Sequence, residues 1–253
     1  MKSHMRAVVA LGFFLLFAQR GAAQNTAVRL IASNGVKAVL EDVLPQAEKT
    51  IGHQVSAQFG VTADFMDKIA AGEEFDLAIL AAEAIDNLNK SGKTVSATRA
   101  DISRAGIGIG IRAGAHKPDI STPEKVKQVL LNAKTITYAP KGASTPDVVK
   151  MIEALGIADK MKPKTMLLQG SELTTAAVAE GRADYVLTLI SEILPVHGIE
   201  LLGPLPGDFQ HYIGFAAAVS AHAKNPDAAK ALIKYLTGPA VAPTYKAKGM
   251  EPR

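Results

Sequence analysis

Small hydroxyl-bearing residues recur in this chain just after apolar runs, where a strand pattern gives way to a helical one. Ser33 and Asn34 follow the run at 28–32, Thr62 follows the alternating run at 54–59, and Ser144 and Thr145 open a helical stretch beyond 135–139. Ala82 holds the same place after the run at 75–80, without a hydroxyl. A helix start leaves several backbone N–H groups unpaired and carries about half a positive charge. Several such starts facing one cleft hold an anion without any cationic side chain. The C-terminal ends of strands are also where α/β sheets bind ligands. Ser33, Asn34, Thr62, Ala82, Ser144 and Thr145 are therefore candidate ligand contacts. A blander role stays open for Ser33, Thr62 and Ser144, since each could simply cap its own helix.

The elements that would position these residues alternate. Runs at 28–32, 54–59 and 75–80 read as strands, the first and third as short apolar runs and the second by alternation. Val36, Val39, Leu40, Val43 and Leu44 recur at helical spacing, and Phe65, Met66 and Ile69 mark a second helix closed by Gly72. This β-α-β-α-β-α order predicts a parallel sheet with helices on its faces. A second α/β set follows, with strands at 135–139, 164–168, 183–189 and 199–202 and helices opening at Pro146 and Leu173. An apolar strand at 212–220 leads into a helical tail. Between the two sets, Gly106, Gly108 and Gly110 alternate with isoleucines. The spacing is wrong for a dinucleotide fingerprint and no helix follows, so a strand whose glycine face admits another backbone is expected, passing from one lobe to the other.

Lys2 and Arg6 precede twelve apolar or Gly residues at 7–18, and Gly21-Ala22-Ala23 follows. The apolar run is too short to span a bilayer, which takes about 20 residues. The pattern predicts a signal peptide over residues 1–23, cleaved after Ala23, and a periplasmic mature protein. Of the formal net charge of +4, three charges (Lys2, Arg6 and Arg20) leave with that segment. The basic balance therefore makes no case for nucleic acid, and the absence of Trp argues against a base-stacking surface. With no Cys there is no disulfide, thiolate metal site or cysteine nucleophile. His53, His116, His197, His211 and His222 show no close ligand spacing, so no metal and no cofactor is expected.

Four passages resemble the periplasmic molybdate-binding family, within the two-lobed type II solute-binding proteins of ABC importers. They are residues 30–35, residues 69–80, Gly181-Arg182-Ala183-Asp184, and the tail from Tyr235 through Pro252. The resemblance implies two lobes, residues 24–104 with 212–253 and residues 105–211, joined by crossover strands. It further implies a small anion held between them, a monomer, and an inner-membrane permease as partner. The family's anion contacts match the positions of Ser33, Thr62 and Ser144.

Two departures redirect the ligand. Where such proteins present a Tyr followed by Ser/Thr-Asp, this chain has Leu189-Ile190-Ser191-Glu192, so that Leu189 holds the expected contact position without a hydroxyl, and Asn34-Gly35 replaces a second small or hydroxyl residue. The expectation is therefore an oxyanion or an organic carboxylate, with molybdate disfavoured. A carboxylate prefers a cationic partner; Lys141, beside the Ser144 loop, is the best placed, ahead of Arg112 and His211. Aconitate isomerase resembles the same family. An isomerase of that kind needs an anion cradle plus a general base, for which Glu192, His211 and Lys141 are the candidates.

Overall fold

The computed structural model describes residues 27–253; the signal peptide expected over 1–23 lies outside the described residues. The first α/β set forms as the periodicity requires. β1 (Val28–Ser33) runs directly into α1 (Asn34–Ile51), β2 (Val55–Gly60) leads to α2 (Thr62–Ala70), and β3 (Leu77–Ala81) runs into α3 (Ala82–Lys90). β1 pairs in parallel with β2 and β3. Leu77, Ala78, Ile79 and Leu80 are all fully buried. Leu77 and Ile79 pack in one core with α1, while Ala78 and Leu80 pack with Phe65, Ile69 and Ile85 on the other face. A strand covered on both faces reads as a continuous apolar run.

β4 (Ala100–Arg112) then crosses the molecule. At about 3.3 Å per residue its 13 residues reach roughly 43 Å. The second set comprises α4 (Pro123–Asn132), β5 (Ile136–Tyr138), α5 (Thr145–Ala154), α6 (Ala158–Met161), β6 (Thr165–Leu167), α7 (Ser171–Ala179), β7 (Tyr185–Leu189), α8 (Ile190–Ile193) and β8 (Ile199–Pro204). The chain returns through β9 (Tyr212–Val219) to α9 (Pro226–Leu236), α10 (Ala242–Ala247) and β10 (Met250–Pro252). The strand order is β2-β1-β3-β9-β4-β7-β5-β6, with β8 and β10 also on β4. Pairing is parallel among β1–β3 and among β5–β7, and antiparallel where β4 and β9 join them. Two lobes result, each a sheet flanked by helices. β4 pairs with β9 through Gly106 and with β7 from Ile107 onward.

Three expectations are corrected. β4 begins at Ala100, well before the alternating glycines at Gly106, Gly108 and Gly110 on which the strand was expected. Helix α4 is additional, although Thr122 caps it by accepting from the Lys125 N–H at 3.3 Å and Pro123 stands in its first turn. The glycine face of β4 meets mainly side chains rather than a backbone. A Cβ on Gly110 would lie 2.6 Å from Val186 Cγ1, and one on Gly108 would lie 2.9 Å from both Ile190 Cγ1 and Leu201 Cδ1. Space is needed there because β7, α8 and β8 all pack against that strand.

The first lobe also encloses a carboxylate, Asp76, with no exposed surface. Its oxygens accept from the Arg29 N–H at 2.9 Å, Arg29 Nη2 at 3.3 Å and the Lys224 N–H at 2.6 Å. Burial acts to raise its pKa. The Arg29 guanidinium and the backbone N–H groups outweigh burial and hold it below the ordinary carboxylate range. The group pins the start of α9 to β1 and β3.

Candidate functional site

Between the lobes lies a narrow cavity of about 20 Å³, lined from the first lobe by Ser33, Asn34, Gly60, Val61 and Thr62. The second lobe contributes Ala139, Gly142, Ala143, Ser144, Thr145, Ser171, Thr188 and Glu192. The N-terminal ends of α1, α2, α5 and α7 meet there, two from each lobe. That volume holds about one water.

Each hydroxyl is placed by its own local logic. Ser33 is the N-cap of α1, and its side chain accepts from the Gly35 N–H at 3.4 Å. Thr62 is not a cap, because Val61 holds that position. Its Oγ1 accepts from the Ala81 N–H at 3.4 Å, tying the start of α2 to the turn into α3. Ser144 occupies the N-cap position of α5 and is buried, but its side chain makes no capping hydrogen bond. The hydroxyl of Thr145 donates to the Ala139 carbonyl and closes the loop that precedes α5.

Five of the eight expected contacts therefore share the cavity: Ser33, Asn34, Thr62, Ser144 and Thr145. Ala82, Lys141 and Leu189 do not line it. Ala82 starts α3, with its Cβ near Gly214. Leu189 is 1% exposed and packs towards Gly35, where an added Cβ would lie 2.9 Å from Leu189 Cδ1 and 2.4 Å from Phe215 Cζ. That crowding explains Gly35, since a side chain there would collide first with Phe215 on its own side and then with Leu189 across the interface. Lys141 sits outside the cavity, its Nζ 3.0 Å from Asp64 Oδ1 and 3.6 Å from Asp67 Oδ2 on α2, and those carboxylates raise its pKa. Its charge bridges the lobes. A second bridge, Lys37 to Glu172, joins α1 to α7, and Ser191 Oγ donates to the Gly35 carbonyl at 2.8 Å. Arg112 ends β4 opposite Ile199, and the exposed His211 lies 3.3 Å from Asp147; neither lines the cavity.

Three polar groups in the lining were not among the expected ligand contacts. Ser171, one residue into α7, stands just ahead of the apolar run from Leu173, a start signal legible in the sequence. Thr188 has no such signal. Glu192, expected only as a candidate base, is the one ionisable side chain among the described residues that line the cavity. It accepts from the Thr188 hydroxyl and has further hydrogen bonds with the Ser171 side chain and the Leu189 backbone. Burial pushes its pKa up, and those neutral donors offset burial only in part. No Lys, Arg or His lines the cavity among the described residues.

The sequence model of the bacterial extracellular solute-binding proteins matches residues 28–251. An aconitate isomerase from Pseudomonas sp is 26% identical over 251 residues, covering 96% of this chain and 95% of that protein. The molybdate-binding protein ModA of Azotobacter vinelandii is 29% identical over 255 aligned positions, covering 96% of each. The solved periplasmic molybdate-binding protein of Azotobacter vinelandii superposes with a TM-score of 0.73 at 18% identity, covering 88% of this chain and 98% of that one. At that identity the superposition speaks for the fold alone.

Proposed function

The chain belongs to the bacterial extracellular solute-binding protein family, and from that premise we propose that it binds a small oxyanion or organic carboxylate between its lobes and delivers it to an ABC permease. The observation that carries this reading is the convergence of four helix N-termini, two from each lobe, on a hydroxyl-lined cavity. Unpaired N–H groups and helix dipoles attract an anion there. Closure around it adds contacts from both lobes at once. In this reading the mature protein starts after Ala23 and works in the periplasm as a monomer. The lobes comprise residues 24–104 with 212–253 and residues 105–211, hinged on β4 and on the segment entering β9.

A thermal-shift panel of molybdate, sulfate, citrate and cis-aconitate tests the reading. A ligand at a hundred times its Kd stabilises the folded state by about 2.7 kcal/mol, and solution scattering should contract with it. No shift from any of the four at millimolar concentration defeats the proposal.

A second reading, isomerase activity, is favoured by Glu192. Of the three candidate bases, Lys141 and His211 lie outside the cavity, whereas Glu192 lines it and burial raises its pKa above the ordinary carboxylate range, the direction a carboxyl that takes up and returns a proton needs. The relative named as an aconitate isomerase supports this reading. Incubating cis-aconitate with the purified protein and separating the products tests it: accumulation of the trans isomer, lost in Glu192→Gln, supports catalysis.

A further inference from the structure

Glu192 poses a problem for any anion in this cavity. Like charges roughly 4 Å apart, at an effective dielectric of about 20, weaken binding about a thousandfold. No cation in the lining offsets that repulsion. The groups around the carboxyl are neutral on the cavity side: Thr188 from β7, Ser171 from α7 and Asn34 from α1. An outer pocket shares Asn34, Ser171 and Glu192, and its charged groups are Lys37, Glu41 and Glu172. There a single cation stands between two carboxylates, with Lys37 Nζ bonded to Glu172 and 3.8 Å from Glu41, so no net positive charge faces Glu192 from that side either.

We propose that Glu192 stays protonated when the cleft loads and donates a hydrogen bond to the bound anion, so that anion binding is coupled to one proton held by this side chain. The inference rests on the anion-binding reading and deepens it. Glu192 becomes the residue that sets specificity: the cleft takes an anion together with a proton. Above the folded-state pKa, where the empty cleft holds the carboxyl ionised, loading draws that proton from the solvent. Affinity is then full below the folded-state pKa of Glu192 and falls as pH rises through it. The slope approaches about tenfold per pH unit for an anion that does not itself titrate. Sulfate, ionised across the whole range, carries the slope test, and trans-aconitate is read above about pH 7, where its last carboxyl has ionised as well.

The experiment is calorimetry of both probes from about pH 6 to about pH 9, on the native chain and on Glu192→Gln, with each titration repeated in two buffers of different ionisation enthalpy. The expected result is binding that weakens with pH in the native chain and takes up close to one proton at high pH. Glu192→Gln, an amide that donates at every pH, should lose both the slope and the proton uptake while still binding. Infrared difference spectra of the unliganded proteins should show a protonated carboxyl band at neutral pH in the native chain alone. pH-independent native binding, or no protonated carboxyl band in the native chain in spectra repeated with sulfate bound, overturns the proton coupling and leaves anion binding intact. If neither probe binds native chain or variant, and the thermal-shift panel is blank, the anion reading itself fails and the inference with it.

Discussion

Asp76 is a fully buried carboxyl and Glu192 a partly buried one at the meeting of the lobes, and the fold treats them in opposite ways. Asp76 lies behind β1 and β3 and is met by a guanidinium and several backbone N–H groups, so it stays ionised and acts as a fixed anchor for α9. Glu192 lies at the meeting of the lobes and is met only by neutral donors, so burial raises its pKa. The difference lies in what surrounds each group rather than in the carboxyl chemistry. A buried charge with a cationic partner serves structure, whereas one without such a partner is free to change its protonation state where a ligand would sit.

The sharpest way to break this contrast is to remove the anchor. Asp76→Ala removes the buried carboxylate that Arg29 and the Lys224 N–H bond, leaving Arg29 only its exposed pair with Glu74, and should cost about 3–5 kcal/mol in a urea melt. The native chain's stability from Asp76 is present above the ordinary carboxylate range and is lost as pH falls through its depressed pKa. The variant should lack that acid-sensitive component.

Glu192→Gln should act in the other direction. A raised carboxyl pKa means the unfolded chain loses its proton first, so the native state loses stability as pH rises above the ordinary carboxylate range. Gln removes that loss. Tm should rise at neutral pH, by about 2–4 °C for each 1 kcal/mol recovered in a chain of this size, and the gain should vanish in acid. A lower Tm at neutral pH would show that Glu192 is anchored as Asp76 is.

Effects on ligand affinity should be smaller. Ser33→Ala removes one neutral hydrogen bond from the cavity and should weaken the best anion of the panel about tenfold by calorimetry; unchanged affinity would remove Ser33 from the site. Lys141→Ala should change affinity least, by under about 1 kcal/mol, because its half-exposed charge bridges to Asp64 instead of facing the cavity. A larger loss would return Lys141 to the ligand.

The fold was legible wherever burial is periodic. The apolar run of β3 and the spacing of Val36, Val39 and Leu40 on α1 announce their elements, and both are buried as read. Strand β10 was not legible. It is three residues long, and its identity as a strand comes from pairing Met250 with Ala105 and Pro252 with Ser103, far away in the chain. In the site, Ser33, Asn34, Thr62, Ser144 and Thr145 could be found because each stands where a strand or loop gives way to a helix. Thr188 could not, because nothing local tells which face of β7 looks into the cavity.

The local pattern thus determined the order of strands and helices and the residues at their junctions, because hydrophobic period and helix-start chemistry depend on a few neighbouring side chains. Which junctions face one another depended on β4 crossing both lobes and on how closely α1 approaches β7 and α8 across Gly35. The role of charges was decided at that level too. The sequence places Lys141 beside a hydroxyl loop and Glu192 beside a serine, and only the packed lobes direct the lysine to Asp64 and leave the glutamate without a cation. A charge acts through its partners, and those partners come from distant parts of the chain.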